Sequence, residues 1–465
     1  MEANTYIELK CNIDCVQSIE EFYLLQKLNE HVEMEMTAII KEKEKEKFVK
    51  SATENQQVKV KAGDNVLFQG MIKNVEMKQE GNLYYMILKG ISNSYKTDVK
   101  KKCRSFQDKS MSYYDMVKSI ITEYKSGHLI DSASDGKAIK NIQLQYYETD
   151  WDYMKRMVSH FNEPLIADCK QEGVNLYFGV PSGKNIGKIE QYKYRISKNI
   201  AKYMRASQNT NQKIKEKDSI TIHIEAEKEY KIGDYGTFDG GKVYVRKKVI
   251  RMNKGILRYE YELADRNGLT CSKVFNHKMV GVSMKGKVLE RVRDHLKLHL
   301  EIDESQDKGT AWLFPYATMY ASEGNSGWYC MPEENDTVLV YFPNTESGDA
   351  VATGSIRTQG SSGDKIDNPK IKYFRTADGK EVMFSPDEII ITCKDNEILI
   401  ALNQSDGITI SSTENIKIHS DKEVTIEAEE EISINAKEKI DMRCKSSKII
   451  MDGDIEIYGE DVRIN

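Results

Sequence analysis

Residues 408–444 read Ile408-Thr-Ile-Ser-Ser-Thr-Glu-Asn-Ile416-Lys-Ile-His-Ser-Asp-Lys-Glu-Val424-Thr-Ile-Glu-Ala-Glu-Glu-Glu-Ile432-Ser-Ile-Asn-Ala-Lys-Glu-Lys-Ile440-Asp-Met-Arg-Cys444. A hydrophobic doublet spaced i, i+2 returns every eight residues: Ile408/Ile410, Ile416/Ile418, Val424/Ile426, Ile432/Ile434 and Ile440/Met442, with Ile400/Leu402 one step before them. The residue inside each doublet is usually polar, as at Thr409, Lys417, Thr425, Ser433 and Asp441. Two residues beyond each later doublet stands a small side chain: Ser412, Ser420, Ala428, Ala436 and Cys444. A two-residue period makes each doublet a short strand with one dry and one wet face, and it excludes a helix, where i and i+2 point apart.

Burial of this stripe is the deciding question. A single-chain β-helix needs about twenty residues or more per coil, and an octad supplies roughly a third of that. Three identical chains wound about one axis supply the rest, each sending one doublet inward per layer and placing its small residue where backbones crowd at a corner. The twelve doublet side chains are worth roughly 18–36 kcal/mol per chain if fully buried, an upper figure that is realised only on association. An antiparallel meander normally needs Gly, Pro or Asn-Gly turns, and no proline follows Pro386. The reading is a trimeric β-needle over residues 376–465. After Met442 the doublets Ile449/Met451, Ile455/Ile457 and Val462/Ile464 lose strict octad spacing near Gly453 and Gly459, and the expectation is a blunt tip.

A chain of 465 residues is too long for one core. A net charge of −5 gives no reason to expect a nucleic acid or an anionic membrane as a binding partner. Eight scattered cysteines, with only Cys11 and Cys15 close together, fit reduced thiols in a chain assembled in the cytoplasm. Met1–Leu9 is too polar for a signal peptide, and no apolar run approaches the eighteen residues that a membrane span requires.

Residues 1–275 read as two barrel-like β units with inserted helices. Tyr6-Ile-Glu-Leu-Lys-Cys, His31-Val-Glu-Met-Glu-Met and Gln57-Val-Lys-Val-Lys-Ala alternate at period two, as do Ser219-Ile-Thr-Ile-His-Ile and Leu257-Arg-Tyr-Glu-Tyr-Glu-Leu. Met116, Val117, Ile120, Ile121 and Tyr124 form a helical stripe after a serine cap, which sets a helix near 110–125. A second helix is expected over 149–161, where Thr149 and Asp152 make a capping arrangement with acids in the first turn. Residues 276–359 hold about five strands, the content of an OB-type barrel. Residues 360–375 form a polar linker.

Two ordered motifs tie these segments together. Arg104, Phe106 and Gln107 precede the first helix, and Gln145, Tyr146, Glu148, Thr149 and Asp150 open the second, with Arg156 inside it. This pair resembles the hub domain of VgrG-type spike proteins, "R-x-F-Q" followed by "Q-Y-x-E-(S/T)-D". The motif reads as a capped helix packing its aromatic face on a barrel, without chemistry of its own. Gly327, Trp328, Pro332, Asp336, Val338, Val340, Phe342, Asp349, Gly354 and Ser355 are similar to the OB collar of the same family, with Asn335 where the family usually has glycine. The resemblance covers nearly the whole chain in the order hub, collar, needle.

No catalytic, cofactor or metal constellation stands out. His295 and His299 share the wet side of a strand with Lys297 between them, and zinc wants a third ligand and no ammonium there. Gly233-Asp-Tyr-Gly lacks the spacing and lysine of a phosphate loop. Ile408–Asn465 holds fourteen acidic and eight basic residues, which disfavours nucleic acid along a shaft. What the resemblance implies is a non-enzymatic homotrimer that forms the central spike of a contractile injection machine, such as a type VI secretion system or phage-like tail, and is later ejected with the particle. Its partners would be tube and baseplate proteins at the hub end, and a PAAR-type cap or effector at Val462, Arg463, Ile464 and Asn465. It would touch the target membrane mechanically. A structural tail or surface fibre would share the needle without needing the hub motifs. A carbohydrate-active β-helix enzyme would need a groove that octad turns are too short to build.

Overall fold

The computed structural model describes residues 8–461, apart from 45, 55, 190–193, 210–214, 254, 323–325, 358–366, 395, 454 and 459–460. The chain divides into two units, residues 1–358 and 359–465.

In the first unit the hub is built on a twelve-stranded sheet. The strands between Leu9–Cys11 and Leu83–Ser92 form one half, and those between Asn185–Lys188 and Ile256–Ala264 form the other. The halves join where Val16–Lys27 pairs antiparallel with Gly241–Asn253, Leu24 opposite Ile250. The two expected β units are thus successive parts of one sheet over one core. Alternation places the side chains as the period-two pattern requires: Met34, Met36, Ala38 and Ile40 of Glu33–Ile40 are buried, while Glu33 and Glu35 are exposed.

Both inserted helices form. Tyr113–Ile121 starts at Ser112, whose hydroxyl accepts from the Asp115 amide, and Asp150–Ser159 starts at Thr149, whose hydroxyl accepts from the Asp152 amide. Met116, Val117, Ile120 and Ile121 face the core, as do Trp151, Met154, Met157 and Val158. A further helix, Ile200–Asn209, was not evident in the periodicity.

The collar is a closed barrel of Val282–Val292, His295–Leu300, Leu313–Ala317, Val351–Ile356 and Thr337–Phe342. Leu296, Leu298 and Leu300 point inward and are fully buried, which leaves His295, Lys297 and His299 on the outer side. Lys297 pairs with Glu290, and His299 Nε2 lies 2.9 Å from the Asp303 carbonyl. Asn335 has φ +75°, the left-handed turn conformation that asparagine tolerates.

The second unit departs from a uniform octad ribbon. Lys372–Arg375, Glu381–Phe384, Glu388–Cys393, Ile398–Asn403 and Gly407–Ser412 form a five-stranded antiparallel sheet, and Ile440–Cys444, Ser447–Met451 and Ile455–Tyr458 form a three-stranded one. The end of the expected linker is therefore a strand. The doublets Ile400/Leu402, Ile408/Ile410 and Ile440/Met442 lie in intrachain ladders, a correction to a needle built only of interchain layers. The cause is local turn chemistry without proline. Asn403 Oδ1 accepts from the amides of Ser405 and Asp406 at 2.9 and 3.1 Å, Gly407 takes φ +77°, and Lys394, Asn396 and Lys445 all have positive φ. No strand is assigned between 413 and 439.

Candidate assembly interface

Two features stand out: a polar node that fixes the hub to its collar, and a set of apolar side chains with no cover. The node is assembled from the hub motifs. Lys101–Phe106 pairs antiparallel with Gln143–Thr149, which brings Arg104 opposite Gln145. Asp150, fully buried at the start of its helix, accepts from Arg104 Nη2 at 2.5 Å, Lys102 Nζ at 2.7 Å, the Tyr124 hydroxyl at 2.6 Å and Gln145 Nε2 at 3.0 Å. Burial pushes the Asp150 carboxyl up, yet the bonds from Lys102, Tyr124 and Gln145 and the nearby Arg104 charge hold it below the usual aspartate range. Glu123 shares Lys102 and Arg104 from the other side. Arg156 grips Glu148 through two bonds, at 2.9 and 2.8 Å, and reaches the Leu144 carbonyl at 2.7 Å.

The neighbouring residues reach the collar. Gln107, buried, donates to the Leu298 carbonyl at 3.2 Å and accepts from the Trp312 amide at 3.0 Å. Asp303 accepts from the Ser105 amide and hydroxyl, both at 2.6 Å. The Tyr146 carbonyl accepts from Asn276 Nδ2 at 2.8 Å, and Ile142 and Leu144 join the collar's apolar core. Phe106 stacks on the buried Tyr153 with ring centroids 5.8 Å apart. The motif therefore does more than pack an aromatic face. Its Arg, Gln, Glu and Asp form a charged lock, and Lys102, Glu123, Tyr124 and Asp303 belong to it although sequence reasoning passed over them. The signal was present in the polar identity of the motif positions, since buried charges persist only with partners.

The uncovered apolar set lies in the second unit. Register places Val382, Ile391, Ile400 and Ile410 in one row and Phe384, Ile389, Leu402 and Ile408 in the next, all on one face of the five-stranded sheet. Ile408 and Ile410 are 71% and 59% exposed. Ile416, Ile418, Val424, Ile426, Ile432 and Ile434 are each more than half exposed, and Met442 is also exposed. Val462, Arg463, Ile464 and Asn465 lie outside the described residues. Among the described residues no group of three or more His, Cys, Asp or Glu side chains is placed to hold a metal, and no helix is long and apolar enough to cross a membrane.

A hub sheet with two capped helices, a closed five-stranded collar and a doublet-bearing β unit make a VgrG-like fold. Among solved structures, the E. coli c3393 protein, described as a type VI secretion component similar to the T4 bacteriophage tail proteins gp27 and gp5, matches with a TM-score of 0.54 at 10% identity, over 75% of this chain and 100% of that one. A chain of the half-lidded Francisella PdpA–VgrG complex matches with a TM-score of 0.53 at 11% identity, over 87% of this chain and 88% of that one. The lidless form of that complex matches with a TM-score of 0.51 at 11% identity, over 84% and 93%. No family model and no curated protein matches the sequence.

Proposed function

We propose that the chain is the homotrimeric central spike of a contractile injection machine and acts mechanically rather than as an enzyme. One observation carries the reading: a run of evenly spaced β-branched doublets stays wet on a chain whose hub and collar bury their own cores. Three copies would turn the doublets of residues 416–434 toward a common axis and cover the apolar face that begins at Val382. The energy of that burial makes the shaft stiff, because strands laddered on every side have few low-energy openings. The hub end meets tube and baseplate proteins, and Val462–Asn465 forms the seat for a PAAR-type cap or an effector. Thrust passes down the shaft to a small area of target membrane. The polar node favours a spike over a plain fibre, since a fibre has no need of a collar locked to a hub.

The functional test is deletion of the coding sequence in the source cell, with imaging of the contractile particles. Loss of complete particles, restored by the intact chain, supports the spike. Normal assembly and ejection without it overturn the reading. Truncation after Asp461 should leave the particle mass essentially unchanged while abolishing retention of the cap protein, and unaltered retention would remove the tip assignment.

A further inference from the structure

A cleft opens in the hub between a three-stranded sheet and the second half of the large sheet, and its first lobe holds about 580 Å³, the size of a ligand pocket. One wall is a row across the smaller sheet. Tyr177 of Asn175–Phe178 stands between Ile130 of His128–Asp131 and Ile166 of Leu165–Asp168. Ile166 is buried, whereas Ile130 is 53% exposed. The rest of the lining comes largely from two loops, residues 181–184 and 229–234. Asp234, itself buried, accepts from the Lys184 amide and the Lys231 amide, each at 2.7 Å, and so pins the loops side by side. Gly183 permits the approach, because a Cβ there would come within 2.1 Å of the Gly233 carbonyl oxygen.

Charge sorts the lining. The other carboxylates, like Asp234, are occupied by the chain itself. Glu229 takes Lys170 at 2.7 Å and Lys248 at 3.0 Å. Asp131 accepts from the Ala133 and Ser134 amides, and Asp168 from the Lys170 amide, all at 2.9 Å. The exposed ammonium groups of Lys184 and Lys231 meet no carboxylate among the described residues. A second lobe of about 560 Å³ adjoins the first across Asp131, Ser132 and residues 181–183, and it repeats this imbalance. There Lys242 stands over the rings of Tyr235 and Tyr244, 3.9 and 5.1 Å from their centroids, again with no carboxylate partner among the described residues. Arg266 gives Nη2 to Glu163, while its Nη1 is buried with no hydrogen bond. A buried donor without an acceptor is costly, and an anionic group entering this lobe relieves it.

We infer that the cleft binds an extended acidic segment of a partner protein. Apolar side chains of that segment lie on Ile130 and Tyr177, and its carboxylates meet Lys184 and Lys231 in one lobe and Lys242 in the other. Cations in both lobes call for a ligand with charges at separate points rather than one small anion. The apolar row and the carboxylates between the lysines disfavour a continuous polyphosphate backbone. The site does not depend on the number of copies in the particle.

The test is fluorescence polarisation of the full chain with a labelled short peptide of alternating glutamate and leucine. Saturable binding that weakens with salt is expected, and the same peptide with glutamine in place of glutamate should not bind. Lys184→Glu with Lys231→Glu should lower the affinity about tenfold or more, and Lys242→Glu by a smaller factor. Lys287→Glu, at an exposed position on the collar, should leave it unchanged. All four lysines are exposed, so the circular-dichroism signature should be unaltered throughout. Equal binding of the glutamine peptide, or affinity that the cleft lysines do not affect, overturns the inference. Displacement of the peptide by inorganic phosphate at the peptide's own concentration overturns the extended occupant. Lys184 and Lys231 that resist an amine reagent in the intact particle would show a cleft closed by a neighbouring copy, and overturn it as well.

Discussion

Leu24 and Ile250 of the hub are fully buried, whereas Ile418 and Ile426 of the second unit are 76% and 69% exposed, though all four are aliphatic residues in the same chain. The difference lies in what each segment has to pack against. The hub wraps one large sheet and two capped helices around a shared cluster, and the collar closes a barrel, so each completes its core with residues from one chain. Residues 413–439 carry as regular an apolar pattern as any in the protein and find no second layer. Under the proposed trimer, folding and assembly are separate in the first unit and one event in the second.

The sharpest way to break this contrast is a charge in the doublets. Ile426→Asp or Ile434→Asp would bring three carboxylates to one axis, at a cost of several kcal/mol per buried ion. The trimer should dissociate while hub and collar keep their circular-dichroism signature, and molar mass by light scattering reads the outcome. The same change at a surface position such as Glu429 should leave the mass unaltered.

In the hub the largest effect belongs to Asp150→Asn, which leaves Arg104 and Lys102 without their buried partner. A loss of about 3–5 kcal/mol follows, read as a lowered denaturant midpoint of the first unit. Gln107→Ala removes both of its bonds to the collar and should cost about 1–3 kcal/mol, with earlier collar unfolding in amide exchange. Ser112→Ala, which takes away one helix cap, should cost about 1 kcal/mol.

The hub also has a defined acid limit. Burial pushes the Glu229 carboxyl up, but Lys248 at 3.0 Å, together with bonds from Asn65 and Lys170, holds it down at about 2 against an ordinary 4.5. A lowered folded value means that the unfolded chain binds more protons, so this stability is whole above about pH 4.5 and is lost as pH falls through about 2. Asp150 acts in the same direction. Thermal melts across that window should show the midpoint falling with pH, and Glu229→Gln should flatten part of the slope.

The legible parts of the fold were those set by local period and capping. Met116 to Ile121 announced a helix by spacing, Leu296, Leu298 and Leu300 announced an inward strand face, and the doublets Ile400/Leu402, Ile408/Ile410 and Ile440/Met442 announced strands, whereas those over 413–439 form none. Two things were not legible. The hairpins at Ile400–Ile410 and Ile440–Met451 turn at Asn403, Gly407 and Lys445, where side-chain bonds and left-handed backbone replace the usual Asn-Gly and Pro signals. The polar node joins Lys102, Arg104, Glu123, Tyr124 and Asp150 across distant sequence, and period carries no information about which buried charges will meet.

The most direct test of the central claim is the molar mass of the purified full chain in solution. Three chains of 53.4 kDa in one particle is the predicted result, and it should fall to one chain with Ile426→Asp. A stable monomer of 53.4 kDa in the unmodified protein would contradict the account, because the doublets would then have no second and third chain to bury them.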